Sequence, residues 1–135
     1  MKRVSCIAGV LMGAASASHA TELKTGYNSY GFPGLIEMPA AHSLADAELS
    51  LSTSHFAGQT RNTLTFQVTP RLSASFRYSR MSQYPISDGT ETTRFDRSFS
   101  IHYRLMDEGK YRPALAFGLN DFLGTGIYRS EYLVA

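Results

Sequence analysis

Three stretches between Arg61 and Leu105 alternate apolar and polar residues with a strict period of two: Leu64/Phe66/Val68, then Leu72/Ala74/Phe76/Tyr78, then Phe99/Ile101/Tyr103/Leu105. Successive side chains of a strand point to opposite faces, so each stretch is a β-strand with one apolar face. The positions between them are Thr63, Thr65, Gln67, Thr69, Ser73, Ser75, Arg77, Ser79, Ser98, Ser100, His102 and Arg104, small hydroxyls for the most part, with no Lys and no Glu. A water-washed strand usually carries long charged side chains, whereas the crowded interior of a membrane barrel suits Ser, Thr and a few Arg. The pattern predicts an all-β chain, an antiparallel up-and-down sheet of about six strands forming part of a transmembrane outer-membrane β-barrel.

The connections set the expected registers. A first strand is expected over Ala47–Phe56, with Leu49 and Leu51 on one face and Glu48, Ser50, Ser52 and Ser54 on the other. Pro70 forces a turn because it cannot donate to a ladder. A three-residue loop Thr69-Pro70-Arg71 keeps apolar residues opposite one another, Val68 against Leu72 and Leu64 against Phe76. Arg80 to Arg94 shows no hydrophobic period and carries Pro85 and Ser87-Asp88-Gly89, so it reads as a surface loop. Closing it sets Phe76 against Phe99, Ala74 against Ile101, Leu72 against Tyr103, Ser75 against Ser100 and Ser73 against His102, and both faces then agree. A tighter polar link, 106–113, leads to a strand Ala114–Asn120 with Leu115, Phe117 and Leu119 outward. The Gly124-Thr125-Gly126 loop precedes a last strand around Tyr132 and Val134.

Ahead of the strands, residues 1–20 combine Lys2 and Arg3, an apolar stretch from Val4 to Ala15 and the small-residue end Ser16-Ala17-Ser18-His19-Ala20, a secretory signal peptide with cleavage after Ala20 first and after Ala17 second. A dozen apolar residues are too few to span ~30 Å of hydrocarbon. Residues 21–46 form a Gly/Pro-rich leader that turns at Pro33-Gly34, and 47–135 form the strands. The whole chain has 13 Lys and Arg and 11 Asp and Glu. Cleavage removes two bases and no acid, leaving a formal net charge of zero, and nothing electrostatic points to nucleic acid. Cys6 lies inside the signal peptide, too early for a lipidated first residue, so the mature chain carries no disulfide, thiolate or cysteine ligand.

An enzyme would have to use His55, His102 and Asp121 or Glu48, since His19 is in the signal peptide and His42 in the leader. No nucleophile or metal-ligand spacing joins them, so no catalytic residue, metal or cofactor is expected. Six strands are fewer than the ~8 that close the smallest membrane barrels. Either this chain is the N-terminal portion of a longer barrel, which is the expectation, or several copies share one barrel. The competing architecture is a secreted soluble β-sandwich, whose strands alternate in the same way.

Three segments, Asn28-Ser29-Tyr30-Gly31-Phe32-Pro33-Gly34-Leu35-Ile36-Glu37-Met38-Pro39-Ala40-Ala41, His55-Phe56-Ala57-Gly58-Gln59-Thr60-Arg61-Asn62-Thr63-Leu64-Thr65-Phe66 and Asp107-Glu108-Gly109-Lys110-Tyr111-Arg112-Pro113-Ala114, resemble the start of the YjbH family. The resemblance runs from about Tyr27 to Ala135. It implies an outer-membrane β-barrel protein of a Gram-negative bacterium linked to exopolysaccharide production or export. It also implies the partners: outer-membrane lipid, the exopolysaccharide and its export machinery. Family members are several times longer and many are lipoproteins, and the family brings no catalytic residue to carry over. In that setting Arg77 and Arg104, on the expected inner face, suit the carboxylates or sulfates of an acidic polysaccharide, or pair with acids elsewhere in the barrel. His102 lies beside Arg104 on that face, as a polysaccharide contact or as an ordinary lumen or surface histidine, and Tyr84, in the long loop, either stacks on a sugar ring or is an ordinary exposed aromatic. The expected function is passage or binding of polysaccharide without bond chemistry; the alternative is a soluble glycan-binding module.

Overall fold

The computed structural model describes residues 26–86 and 89–135, so the expected signal peptide, Cys6 and the Ser87-Asp88 step lie outside the described residues. Eight strands follow in order: β1 (Gly34–Leu35), β2 (Met38–Pro39), β3 (Leu49–Phe56), β4 (Gln59–Thr69), β5 (Leu72–Pro85), β6 (Glu91–Met106), β7 (Leu115–Gly124) and β8 (Ser130–Val134). The last six form one antiparallel sheet in chain order, and β1 and β2 form a separate two-stranded hairpin. Among the described residues there is no helix. The all-β, up-and-down six-stranded sheet read from the alternation is present.

Register across β5 and β6 follows the expectation at every named pair, from Leu72 opposite Tyr103 to Phe76 opposite Phe99. On the apolar face, aromatic pairs cross the ladder: Phe76 on Phe99 at 5.0 Å, Tyr78 on Phe95 at 5.9 Å and Tyr103 on Phe117 at 5.9 Å between ring centroids. Such cross-strand pairs are the units that hold a sheet in register.

Three expectations are corrected. The β4–β5 turn is not a three-residue loop: Thr69 faces Leu72, and a bulge between Gln67 and Thr69 absorbs the odd residue, so Leu64 still meets Phe76. A two-residue turn is stabilised because the Thr69 hydroxyl accepts the Leu72 N–H at 3.1 Å. Arg80–Arg94 is not a loop but the continuation of both strands to Pro85 and from Glu91, with Tyr84 opposite Thr92. Polar residues occupy both faces there, so alternation carried no hydrophobic signal, and a register shift between Met81 and Tyr84 interrupts it further. In the leader, the turn falls at Ile36-Glu37, because Gly34 and Leu35 pair with Pro39 and Met38. Ile36 adopts a φ of 53° there, a conformation that a β-branched residue rarely takes.

Burial runs opposite to that of a soluble sheet. Leu49 and Leu51 are 64% and 74% exposed, and Leu64, Phe66, Val68 and Phe99 are exposed as well. Thr63, Thr65, Gln67, Ser73, Ser75, Ser79, Ser98, Ser100 and His102 are buried. Burying one Leu or Phe side chain stabilises a protein in water by ~1.5–3 kcal/mol, so this fold leaves its main apolar resource outside. What covers the polar face is the leader. Phe32 is fully buried against it, and Ala41 joins Ala114 and Ala116 in a small apolar cluster with Val134.

Candidate functional site

The polar face divides into two centres beneath the leader. The first is His102 on β6. Its Nε2 lies 3.0 Å from the carbonyl oxygen of His42, and its Nδ1 lies 2.9 Å from the hydroxyl of Tyr132 on β8. A carbonyl can only accept, so Nε2 carries the proton and Nδ1 accepts from Tyr132. The imidazole also stacks between Phe32 at 5.5 Å and Tyr132 at 6.0 Å. Tyr132 reaches it across Gly118, where an added Cβ would sit 2.2 Å from the ring. Nearby, the Gln67 carboxamide oxygen accepts from Leu44 N at 3.2 Å and from Ser73 Oγ at 2.5 Å, tying the leader to β4 and β5.

The second centre is charged. Arg61 on β4 and Arg77 on β5 both lie over the rings of Tyr30, from the leader, and Tyr128, from the β7–β8 connection: Arg77 at 4.7 and 4.9 Å, Arg61 at 5.9 and 5.0 Å. Guanidinium groups favour aromatic faces in this way. Tyr128 is held by its hydroxyl, which donates to Gln59 Oε1 at 2.7 Å. Arg77 is 1% exposed, and none of its guanidinium nitrogens has a hydrogen-bond partner. Arg61 donates to Ser29 and Glu37 at 3.0 Å each and to Gln59 at 3.1 Å.

Two carboxylates complete the belt. Asp96 faces Ser79 across the β5–β6 ladder and accepts the Thr125 hydroxyl. Asp121 follows Asn120 in an irregular part of β7, where the register shifts between the Phe99 and Ile101 pairs, so both residues turn inward. Its Oδ2 accepts the Tyr128 N–H at 3.1 Å, and its own N–H donates to Ser100 Oγ at 3.1 Å. One oxygen of each carboxylate has no hydrogen-bond partner. Across β4, β5, β6 and β7 the inner face therefore carries two cations followed by two anions.

Of the residues singled out from sequence, Arg77 and His102 lie under the leader in these two separate centres. Arg104 lies apart, at the Pro70 turn, where it donates to the Pro70 carbonyl at 3.2 Å and meets Asp107 at 3.0 Å. Tyr84 is in β5 rather than in a loop, with the Arg94 guanidinium 4.9 Å from its ring centroid. The four do not converge. Arg61, Asp96, Tyr30 and Tyr128 were missed, although Arg61 and Asp96 simply extend the polar alternation of Thr63 and Ser98 by one step. Among the described residues no group of His, Cys, Asp and Glu is arranged to hold a metal ion.

A family model, YjbH, described as "Exopolysaccharide biosynthesis protein YbjH", matches residues 26–135. A protein of Escherichia coli (strain K12) named "Uncharacterized lipoprotein YjbH" is 32% identical over 113 residues, which is 80% of this chain and 16% of that protein. This chain thus spans a small part of the length of that relative. No solved structure matches it. The match over all the described strands and the described part of the leader establishes that the chain belongs to the YjbH family of exopolysaccharide biosynthesis proteins.

Proposed function

We propose that this chain is the N-terminal part of an outer-membrane β-barrel that passes or binds exopolysaccharide along a polar lumen, without bond chemistry. The observation that carries this reading is the inverted burial: Leu51, Phe66 and Phe99 face outward while Thr65, Ser100 and His102 face in. Lipid is the solvent in which such a surface is stable. The apolar band has polar borders. On β5 and β6 it ends where Arg97 stands opposite Tyr78 and Arg80 opposite Phe95, and at the other end Arg71, Arg104 and Asp107 gather at the turns. β5 and β6 are 14 and 16 residues long, more than the roughly 9–11 that cross a bilayer, so their hairpin extends beyond it.

The family supplies the polysaccharide, and the lipoprotein name of the E. coli relative supports an envelope location. The test is fractionation of the native cell, with an antibody against residues 26–60. A band that sediments with outer membrane and requires detergent for extraction supports the reading. A band released with the periplasm overturns it in favour of a soluble glycan-binding module.

A further inference from the structure

Between the β1–β2 hairpin turn and β3 lies a cleft of about 420 Å³, within the range of small-molecule and cofactor sites. It lies on the polar side of the sheet, beside Arg61. Its walls include Ser52, Ser54 and Phe56 of β3, Gln59 and Arg61 of β4, and Glu37 of the turn. Phe56 continues the inward alternation of Ser52 and Ser54, and is 83% exposed. It is a bare aromatic platform at the end of an inner β3 row otherwise made of Ser50, Ser52 and Ser54.

Arg61 forms the charged wall. Its side chain is 13% exposed, and its carboxylate partner Glu37 is 57% exposed, held by one contact at 3.0 Å from a two-residue turn. An exposed single-contact pair of this kind is weak and screened, and a guanidinium fork is built to take a carboxylate through two parallel bonds. Behind it, Arg77 adds a second positive charge with no hydrogen-bonded acid. Glu48, the other carboxylate near this end of the leader, is engaged by the Tyr27 hydroxyl and by Ala45 N. Glu37 thus occupies the place that a ligand carboxylate would take.

We propose that this cleft is a binding subsite for a carboxylate-bearing glycan, with the uronate carboxylate on Arg61, the apolar face of a sugar ring on Phe56, and Ser52, Ser54 and Gln59 around its hydroxyls. The inference rests on the reading of the polar face as the lumen, and deepens it by naming an acidic polymer. A carboxylate on the half-buried Arg61 guanidinium gives discrimination, because a neutral analogue cannot replace Glu37 as its charged partner. Displacement of Glu37 also frees the turn that holds the leader hairpin to β4.

The test uses the full-length protein in detergent micelles, with tetragalacturonate and its carboxyl-reduced, neutral counterpart as probes in calorimetry. Tetragalacturonate is expected to bind about tenfold or more tightly than the neutral tetrasaccharide. Arg61→Gln is expected to abolish that preference and Phe56→Ala to weaken both ligands. Glu37→Gln, on an exposed turn where folding is not at risk, is expected to strengthen the acidic ligand. Equal binding of the two probes, no binding by the folded wild type, or a Glu37→Gln variant with unchanged affinity overturns the site. Those results leave the barrel reading standing, which only release of the protein into the periplasm overturns.

Discussion

His102 donates a hydrogen bond from Nε2 to the carbonyl oxygen of His42, which lies 60 residues earlier in the chain and 3.0 Å away in space. A ring at the centre of the sheet is thereby one anchor of the leader. His102→Leu keeps the approximate shape and leaves both the His42 carbonyl and the Tyr132 hydroxyl unpaired, at ~1–3 kcal/mol each. The expected outcome is a lower denaturant midpoint together with new protease cleavage between residues 30 and 45. Protection of the leader equal to wild type would show that the anchor lies elsewhere.

Gly118 and Tyr132 form a second test of the same centre. Alanine at 118 pushes on the tip of the Tyr132 ring, which must tilt away from His102. Gly118→Ala is expected to cost about 1–2 kcal/mol and to be less than additive with Tyr132→Ala, since the larger residue is what the new methyl meets. Unfolding curves of the two single variants and the double variant give the coupling directly.

The outer face offers the sharpest contrast between water and lipid. Phe66→Lys is expected to destabilise the folded protein in membranes by ~2–4 kcal/mol if the position lies near the midplane, and to lower the amount recovered in the outer membrane. On the exposed face of a water-soluble sheet the same change stays within about 0.5 kcal/mol. Recovery of a stable, fully folded variant in the soluble fraction is the outcome that counts against lipid contact.

Asp107 bridges Arg71 at 2.7 Å and Arg104 at 3.0 Å, but all three are partly exposed. Asp107→Asn is expected to shift stability by less than about 1 kcal/mol, and less still at high salt. A larger loss, measured by thermal unfolding across salt concentrations, would mean that the turn cluster is desolvated in the folded protein.

Tyr27 ties the start of the leader to Glu48. Burial, and then the hydrogen bond to and charge of the Glu48 carboxylate, hold its phenol above the ordinary value of 10.0. A raised folded value means that the contribution is complete below the unfolded value and is lost as pH rises through the folded one. Protease access to the leader is therefore expected to increase at alkaline pH above about 10 in the wild type. In Tyr27→Phe this contribution to the pH dependence should be absent.

What was legible in the sequence followed from period two. Leu72, Phe76, Phe99 and Ile101 declared their face and their partners, because a slip by one residue would have set Ser against Phe. The hairpin beyond Ser79 was illegible for the complementary reason: Arg80, Ser82, Arg94 and Asp96 give polar residues on both faces, and a bulge breaks the count. Tyr30 and Tyr128 could not be found by pattern at all. They come from irregular segments, and only the fold brings both onto Arg77.

The leader lies against Arg61, Gln67, Arg77, His102 and, through Ala41, the cluster of Ala116 and Val134, and so touches strands from β4 to β8 while preceding all of them in the chain. In the proposed barrel the interior would therefore be filled by the chain's own leading segment, and passage of a polymer would require that segment to move.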